Sequence, residues 1–357
     1  MSVLTLPSTR QEAWRWSDVD GIAAAASLSR AEGGQADDLW LDLPGDRLLF
    51  VDGELHDSSR LHRAKLAEVT ASDHPLGAQA AGKGWRLALD RDAVADPVQV
   101  VHLSTGGDNH LAAEIVLAED AVGTVVETYA GRGWANRFAR IRLGKAARLQ
   151  RAVRLLQEEG FTSSRDEAEL GAGSSLVQIV LGAGGAGSRV DAQVTLEGEG
   201  AFAEFGGALL TRGTQRQECA VAVRHAAPNG QSRQYWRAVA ADQSAASLAA
   251  RVEVARHAQK TDGEQSLRGL LLKRTATVNL KPELEIFADD VKCAHGATVG
   301  ELDDRALFYM QSRGIPKPRA QAILTRAFVA DAIERIGTEH VQDAFMADAD
   351  AWLERAL

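Results

Sequence analysis

Residues 175–198 read SLVQIVLGAGGAGSRVDAQVTLEG, and the residues directly after the glycines of this stretch decide the fold. Gly182 to Gly187, GAGGAG, satisfies GxGxxG letter for letter. A dinucleotide fingerprint needs a helix immediately beyond the glycines, so that its N-terminus can hold the pyrophosphate. Ser188 to Leu196 instead alternates apolar and polar residues with period two, as a half-buried strand does. The glycines are therefore a turn between strands. No GxxxxGK[ST], HExxH or paired CxxC occurs anywhere in the chain, so it carries neither its own phosphate-binding loop nor a closed zinc motif.

The same texture extends outward from Gly84 to about Gly300, through RLALD, VQVVHL, EIVLA, GTVVETY, ARIRLG, ECAVAVRH, LAARVEVA, LRGLLL and ATVNL. Within this span only Lys145 to Glu159 also reads as a helix. Small residues precede apolar ones at Ala121-Val122, Ala147-Arg148-Leu149, Ala201-Phe202, Ala246-Ser247-Leu248 and Ala276-Thr277-Val278. Their spacings correspond to one or two units of roughly 22 to 30 residues, a solenoid period in which each turn buries its inner face only against its neighbours. The expected fold is mainly β, a right-handed parallel β-helix over residues 83–300, which fits better than a sandwich.

Flanking segments change period. In the N-terminal region, 1–82, Ser8 to Ala31 carries helical spacing with a break at Asp18 and Gly21. Asp46 to Gly53, DRLLFVDG, reads as a strand entering a hairpin-like turn, and Asp57 to Ala81 as helix or loop. In the C-terminal region, 301–357, Asp303 caps DRALFYMQSR, Gly314 stops it, and Pro316 and Pro318 open the next helix. Ile323, Leu324, Phe328, Ala332, Ile333 and Ile336 mark its apolar face, and a last helix runs to about Glu354.

At 357 residues, with 45% hydrophobic and 25% charged residues, the composition is that of a globular protein large enough for two to three domains. A net charge of −9 argues against nucleic acid as the main partner, although Arg137 to Arg154 is locally basic. The N-terminus lacks a basic stretch leading into an apolar one, and no run approaches ~18 apolar residues, so the expectation is a cytoplasmic chain without membrane contact. Cys219 and Cys293 cannot build a disulfide framework, which agrees with a reducing compartment.

The segment Lys281 to Gly300, KPELEIFADDVKCAHGATVG, holds the candidate chemistry. In a strand, Asp289, Val291, Cys293 and His295 project from one face. A thiolate beside an imidazole is half of a soft-metal site, and the missing ligands must come from elsewhere. His225 reads as a satisfied structural group, Cys219 as a small core residue, and Trp236 and Arg237 as surface and flank packing.

The ordered segments HAAPNGQSRQYWRAV, VARHAQKTDGEQSLRGLLL, KPELEIFADDVKCAHGATVGELD and LFYMQSRGIPKPRAQAILTRAF, between His225 and Phe328, resemble the SufB/SufD family of iron–sulfur cluster assembly scaffolds, specifically its SufD branch. GSRVDAQVTLEGEGAFAEFGG and RIRLGKAARL continue the likeness more loosely upstream. The resemblance implies a β-helix between helical regions and a non-catalytic scaffold that pairs with a SufB-like subunit. It implies docking of a SufC-like ABC-type ATPase on Asp303 to Ile336, with Leu307, Phe308, Tyr309, Arg313, Ile323, Leu324 and Phe328 at the surface concerned. It further implies that His295 and Cys293 lie at the subunit interface and touch a transient iron–sulfur cluster shared with the partner, with no tightly bound cofactor. The chain departs from the family at Ser247 to Val254, where an aromatic-and-glycine turn is usual, and Cys219 does not fall on the sulfur-accepting cysteine of SufB. Two further readings are a secreted-type β-helix polysaccharide lyase, tested on polygalacturonate with Ca²⁺, and a homodimer in which two His295 faces meet.

Overall fold

Seven corners of the chain share one backbone device. Asp92, Asp120, Ala146, Gly173, Gly200, Asn229 and Lys260 all take left-handed φ values, from 54° at Ala146 to 69° at Gly200. Each donates its backbone N–H to a carbonyl one turn further along: Asp92 to Glu119, Asp120 to Lys145, Ala146 to Ala172, and so on to Lys260 and Asp290. Asp, Asn and Gly tolerate this conformation, whereas Ala146 and Lys260 hold it at a cost of about 1–2 kcal/mol each. The corner therefore recurs for the hydrogen bond it makes.

The computed structural model describes residues 6–31, 36–80 and 82–357; Met1 to Thr5, Glu32 to Gln35 and Ala81, which fall within the N-terminal region read from the sequence, lie outside these. Between the corners run β4 (Gly82–Leu89), β5 (Val98–Leu117), β6 (Val122–Leu143), β7 (Arg148–Leu155), β8 (Glu159–Leu170) and β9 (Ser175–Gly182). They continue as β10 (Gly187–Leu196), β11 (Phe202–Thr211), β12 (Arg216–His225), β13 (Gln231–Ala240) and β14 (Ala245–Val254). The last are β15 (Asp262–Leu271), β16 (Thr277–Ile286) and β17 (Lys292–Glu301). Parallel pairing builds two stacks. One comprises the first halves of β5 and β6, then β7, β9, β11, β13, β15 and β17. The other comprises β4, the second halves of β5 and β6, then β8, β10, β12, β14 and β16. The result is a β-solenoid of about eight turns. Its handedness follows the strong right-handed preference of parallel crossovers.

Val122 lies opposite Arg148, and Ala245 opposite Thr277, so a turn takes 26 to 32 residues, longer than the shorter spacings read from the sequence. Ala121, Ala147 and Ala201 share one corner, while Ala246 and Ala276 belong to the opposite one; mixing two corners shortened the apparent period. Lys145 to Glu159 is not a helix but contains β7, whose inward Leu149, Val153 and Leu155 join the core. At the start, β1 (Arg47–Val51) pairs with the beginning of β5, and the turn at Asp52-Gly53 returns the chain antiparallel as β2 (Glu54–Arg60). β3 (Ala64–Val69) then pairs antiparallel with β4, so the stretch read as helix or loop is strand over 57–60 and 64–69 and helix or loop over its other described residues. Two short helices accompany these strands. α1 (Val19–Ala26) is capped by the Asp18 carboxylate, which accepts from the Gly21 N–H, and α2 (Pro75–Gln79) leads into β4.

The lumen is filled by alternating inward side chains, including Leu176, Val190, Phe205, Trp236 and Leu248. Trp236 is thus core rather than flank packing. The outer face of the first stack is buried too: Ile179, Leu181, Leu210 and Val239 meet Val329, Ile333, Phe345 and Trp352 of the C-terminal helices. Burial on both faces turns SLVQIVLG into a continuous apolar run. The helices are α3 (Asp304–Ser312), α4 (Lys317–Ile333) and α5 (Glu339–Ala356), with Asp303 as the N-cap of α3 and Pro316 and Pro318 at the start of α4. Two buried arginines pin them: Arg154 forks onto Asp348 at 2.7 and 3.0 Å, and Arg237 donates from Nε to Asp331 at 2.9 Å. Arg237 is therefore buried, not surface. Removing one partner of such a pair strands a charge, and Arg154→Ala is expected to lower unfolding free energy by about 3 kcal/mol, read by urea titration.

Polar groups also enter the lumen. Arg151 donates to Glu127 (2.7 Å), Asp166 (2.6 Å) and Gln178 (3.0 Å), and Tyr129 to Glu127 (2.9 Å). Arg137 Nε donates to Nδ1 of His102 at 3.2 Å, so the His102 proton sits on Nε2, facing Glu127. Burial, aided by Arg137, pulls His102 down to about 4, and burial pulls His225 down to about 4 as well. Both rings are neutral when folded, whereas the unfolded chain takes their protons below pH ~6.5, so their stabilisation is complete above that pH and lost toward pH 4. Buried Asp166 and Glu204 are raised and act in the opposite sense. The difference between wild type and His225→Gln isolates the histidine: the variant's stability is expected to fall less steeply between pH ~6.5 and ~4.5 in urea melts.

Candidate functional site

The solenoid ends differently at its two extremities. At the start, antiparallel β2 and β3 close the sheet, whereas among the described residues no strand pairs with the outer edge of β16 or β17. The open end exposes Ile286 (39%), Phe287 (51%) and Val299 (45%), three apolar side chains around an uncovered lumen. Unpaired strand edges flanked by apolar side chains are a template for pairing with another chain.

Cys293 and His295 lie on β17, in register with Gly263 and Gln265 of β15. Gly263 and Gln265 are buried and inward, so period two sets Cys293 and His295 on the lumen-facing side of the last strand. The sequence reading of a shared face is correct for this pair. Asp289 and Val291 precede the strand in the turn from β16, and Val291 packs with Cys293 against Val252, Val254, Ala258 and Ala288. His295 is exposed and Cys293 half-buried. The Cys293 sulfur comes within 3.4 Å of where a Gly263 side chain would begin, so a larger residue at 263 would meet the thiol. Burial raises the Cys293 thiol above its ordinary range, only partly offset by a hydrogen bond from the Gly263 backbone. Among the described residues no group of three or more His, Cys, Asp or Glu is placed to hold a metal ion. Cys293 and His295 therefore stand as a pair, not as a closed set.

Directly beneath them lies a polar column that sequence reading missed. Gln234 and Gln265 are fully buried, in register with each other, and Gln265 is in register with His295. Nε2 of Gln234 donates across the lumen to the Arg251 carbonyl (3.0 Å) and Nε2 of Gln265 to the Glu283 carbonyl (3.4 Å). The spacing 234, 265, 295 tracks the solenoid period, and that period was the signal. Alongside, His225 meets Ser232 Oγ at 2.8 Å, and Ser232 stacks through Gly263 onto Cys293. His225 Nδ1 has no partner, so the structure satisfies this histidine only in part.

The other candidate residues fall on the C-terminal helices. Phe308 (74% exposed), Tyr309 (60%) and Ile323 (42%) form an apolar surface, with Arg313 stacked on Tyr309 at 5.3 Å. Leu307 is buried, Leu324 half-buried, and Phe328 half-buried beneath Arg237 at 6.0 Å. α4 thus carries two apolar sides: Val329 and Ile333 seat it on the solenoid, joined by Ile336 just beyond its end, and Ile323 is exposed. A cavity of about 400 Å³ lies between Glu12–Trp16 and the outer side of the second stack, reaching Lys281 and Glu283 of β16. Its charged wall is self-paired: Arg189 donates to Glu218 (2.9 Å) and Ser17 (2.6 Å) and stacks on Trp14 at 4.2 Å. No helix among the described residues is long and apolar enough to cross a membrane.

The fold is a parallel β-solenoid with Cys293 and His295 on the lumen side of its last strand. The family described as "SUF system FeS cluster assembly, SufBD core domain" matches residues 103–328, more than half of the chain, and the chain belongs to that family. The chain is 28% identical over 372 residues to the iron–sulfur cluster assembly protein SufD of Escherichia coli K12, spanning 96% of this chain and 88% of that protein. It is 33% identical over 258 residues to the chloroplastic protein ABCI7 of Arabidopsis thaliana, spanning 70% of this chain and 51% of the relative. It is 28% identical over 218 residues to SufD of Plasmodium falciparum 3D7, spanning 59% of this chain and 14% of that protein. Within the family it lies on the SufD branch, and its role is that of a SufD-type iron–sulfur cluster assembly protein. The fold and family expected from the sequence are the ones found, and the polysaccharide-lyase reading gives way to them.

The two thiols should separate in alkylation. Burial pushes Cys219 far above the ordinary thiol range, and the raised Cys293 is half-buried. Iodoacetamide at pH ~7.5 is expected to modify Cys293 slowly and Cys219 only on unfolding, as read by peptide mass; equal rates at the two sites would contradict this packing.

Proposed function

We propose that this chain is the SufD-like half of a scaffold whose other half is a SufB-like subunit, joined through the open edges of β16 and β17. The observation that carries the reading is the coincidence of three features at one end: unpaired strand edges, exposed Ile286, Phe287 and Val299, and a two-ligand pair at Cys293 and His295. Strand addition satisfies the edge hydrogen bonds, and a partner strand brings further side chains to the same lumen mouth. The nascent iron–sulfur cluster is cargo in this reading. Thiolate and imidazole ligands divided between two chains hold iron well enough to build on and release it when the interface changes.

The exposed Phe308, Tyr309, Arg313 and Ile323 surface is the proposed seat of a SufC-like ATPase, with Leu324 and Phe328 supporting it and Leu307 acting as core. The chain itself acts as a non-catalytic scaffold without a tightly bound cofactor, in the cytoplasm. Closure of two ATPase subunits would strain the scaffold and reshape the shared interface.

An anaerobic pull-down of the tagged chain from its own host is expected to recover a SufB-like subunit and an ATPase. Phe308→Asp with Tyr309→Asp should lose the ATPase and keep the SufB-like subunit. His295→Ala should keep both partners yet abolish cluster assembly in a strain lacking other assembly systems. Recovery of the chain as a monomer would overturn the pairing, recovery of two copies would favour a homodimer, and normal iron–sulfur enzyme activity in His295→Ala would remove the role of that residue.

A further inference from the structure

The polar column below His295 has an unfinished hydrogen-bond pattern. In-register inward positions of the first stack run Arg151, Gln178, Phe205, with Gln234, Gln265 and His295 on the next three strands. Phe205 divides this file, because Arg151 and Gln178 are satisfied by Glu127 and Asp166, whereas the two outer glutamines are not satisfied. Gln234 Oε1 and Gln265 Oε1 are both buried without a partner. Their Nε2 groups are committed to the Arg251 and Glu283 carbonyls of the opposite stack, so each amide oxygen needs a donor from elsewhere in the lumen.

One scheme satisfies both oxygens. An amide nitrogen carries two hydrogens, and the Gln265 Nε2 uses one on Glu283, leaving the second for Gln234 Oε1 one rung deeper. The same step repeated one rung outward requires a donor at position 295, and an imidazole N–H is such a donor. Stacked amide ladders of this kind form where identical positions repeat at the strand spacing. We infer that Gln265 is the positioning residue of His295: its Oε1 accepts one ring N–H, fixes the tautomer and presents the other ring nitrogen, lone pair outward, at the open end.

A metal-ligating histidine usually holds its second nitrogen in such a hydrogen bond, and the bond orients the ring and raises its basicity as a ligand. Gln265 would therefore do for His295 what a backbone carbonyl or carboxylate does elsewhere, using a neutral acceptor already buried in the lumen. The functional consequence rests on the reading of His295 as a ligand of the nascent cluster. The geometry does not.

The test is the tautomer of His295 in the full chain without metal, read by long-range ¹H–¹⁵N correlation on histidine-labelled protein. The expected result is a single tautomer in wild type and an exchanging mixture in Gln265→Met. Gln234→Met, one rung deeper, should leave the ring locked, which separates local positioning from general loosening of the lumen. A mixture in wild type, meaning that solvent satisfies the amide instead, or a ring still locked in Gln265→Met, would overturn the inference. Anaerobic Fe²⁺ titration of the complex with its SufB-like partner should show affinity reduced about 10- to 100-fold in Gln265→Met. The cellular result for His295→Ala bears on the cluster role alone, so the two ideas fail independently.

Discussion

The backbone hydrogen bond from one turn of the chain to the next is the constraint on which this molecule depends. Inward residues sit over the equivalent residues of the turn before, because parallel strands pair in register, apart from one shift between β5 and β6 at Thr105 to Asp108. The corners must therefore repeat as faithfully as the strands, and the left-handed residue at each of seven corners does this by sending its N–H to the next turn. Side chains then stack like on like: valines and leucines through most of the lumen, arginine on glutamine in the middle, and glutamine on glutamine toward the end.

Stacking of this kind has no natural terminus, and the two ends answer that in opposite ways. The first end folds β2 and β3 back antiparallel and packs α1 and Trp14 nearby. The last end stops with both strands available and with Cys293 and His295 at its mouth. The proposed role rests on this asymmetry, with Cys293 and His295 set at the end where, among the described residues, no strand covers β16 or β17.

Much of this was legible in the sequence because period-two alternation survives wherever one face of a strand meets solvent. Ser188 to Leu196 shows it as well, although its outward Arg189 and Asp191 are buried, because their ion pair keeps that face polar, and it was enough to reject a dinucleotide fold despite GAGGAG. Alternation fails where the two buried faces do not divide into polar and apolar. β7 was open to misreading as helix because Arg151 and Arg154 are buried on opposite sides, one in the lumen and one under α5. Trp236 and Arg237 were misassigned for the same reason: an arginine beside a tryptophan suggests surface, yet one faces the lumen and the other reaches Asp331. Asp303, Gly314 and the two prolines marked the terminal helices correctly, because capping is a local effect. Gln234 and Gln265 stayed hidden, since a buried glutamine has meaning only once the turn length is known.

The arginines beneath the C-terminal helices also define how a mechanical load would travel. α3 comes directly after the last strand, but Asp331 of α4 grips β13 and Asp348 of α5 grips β7, 194 residues away in sequence. A force applied to these helices is thus shared among early, middle and final turns rather than concentrated on β17. The end strands are spared the shear that would peel them away one rung at a time, so strain delivered from the helices would tilt the solenoid as a stiff rod and reach His295 as a change in angle between two bodies.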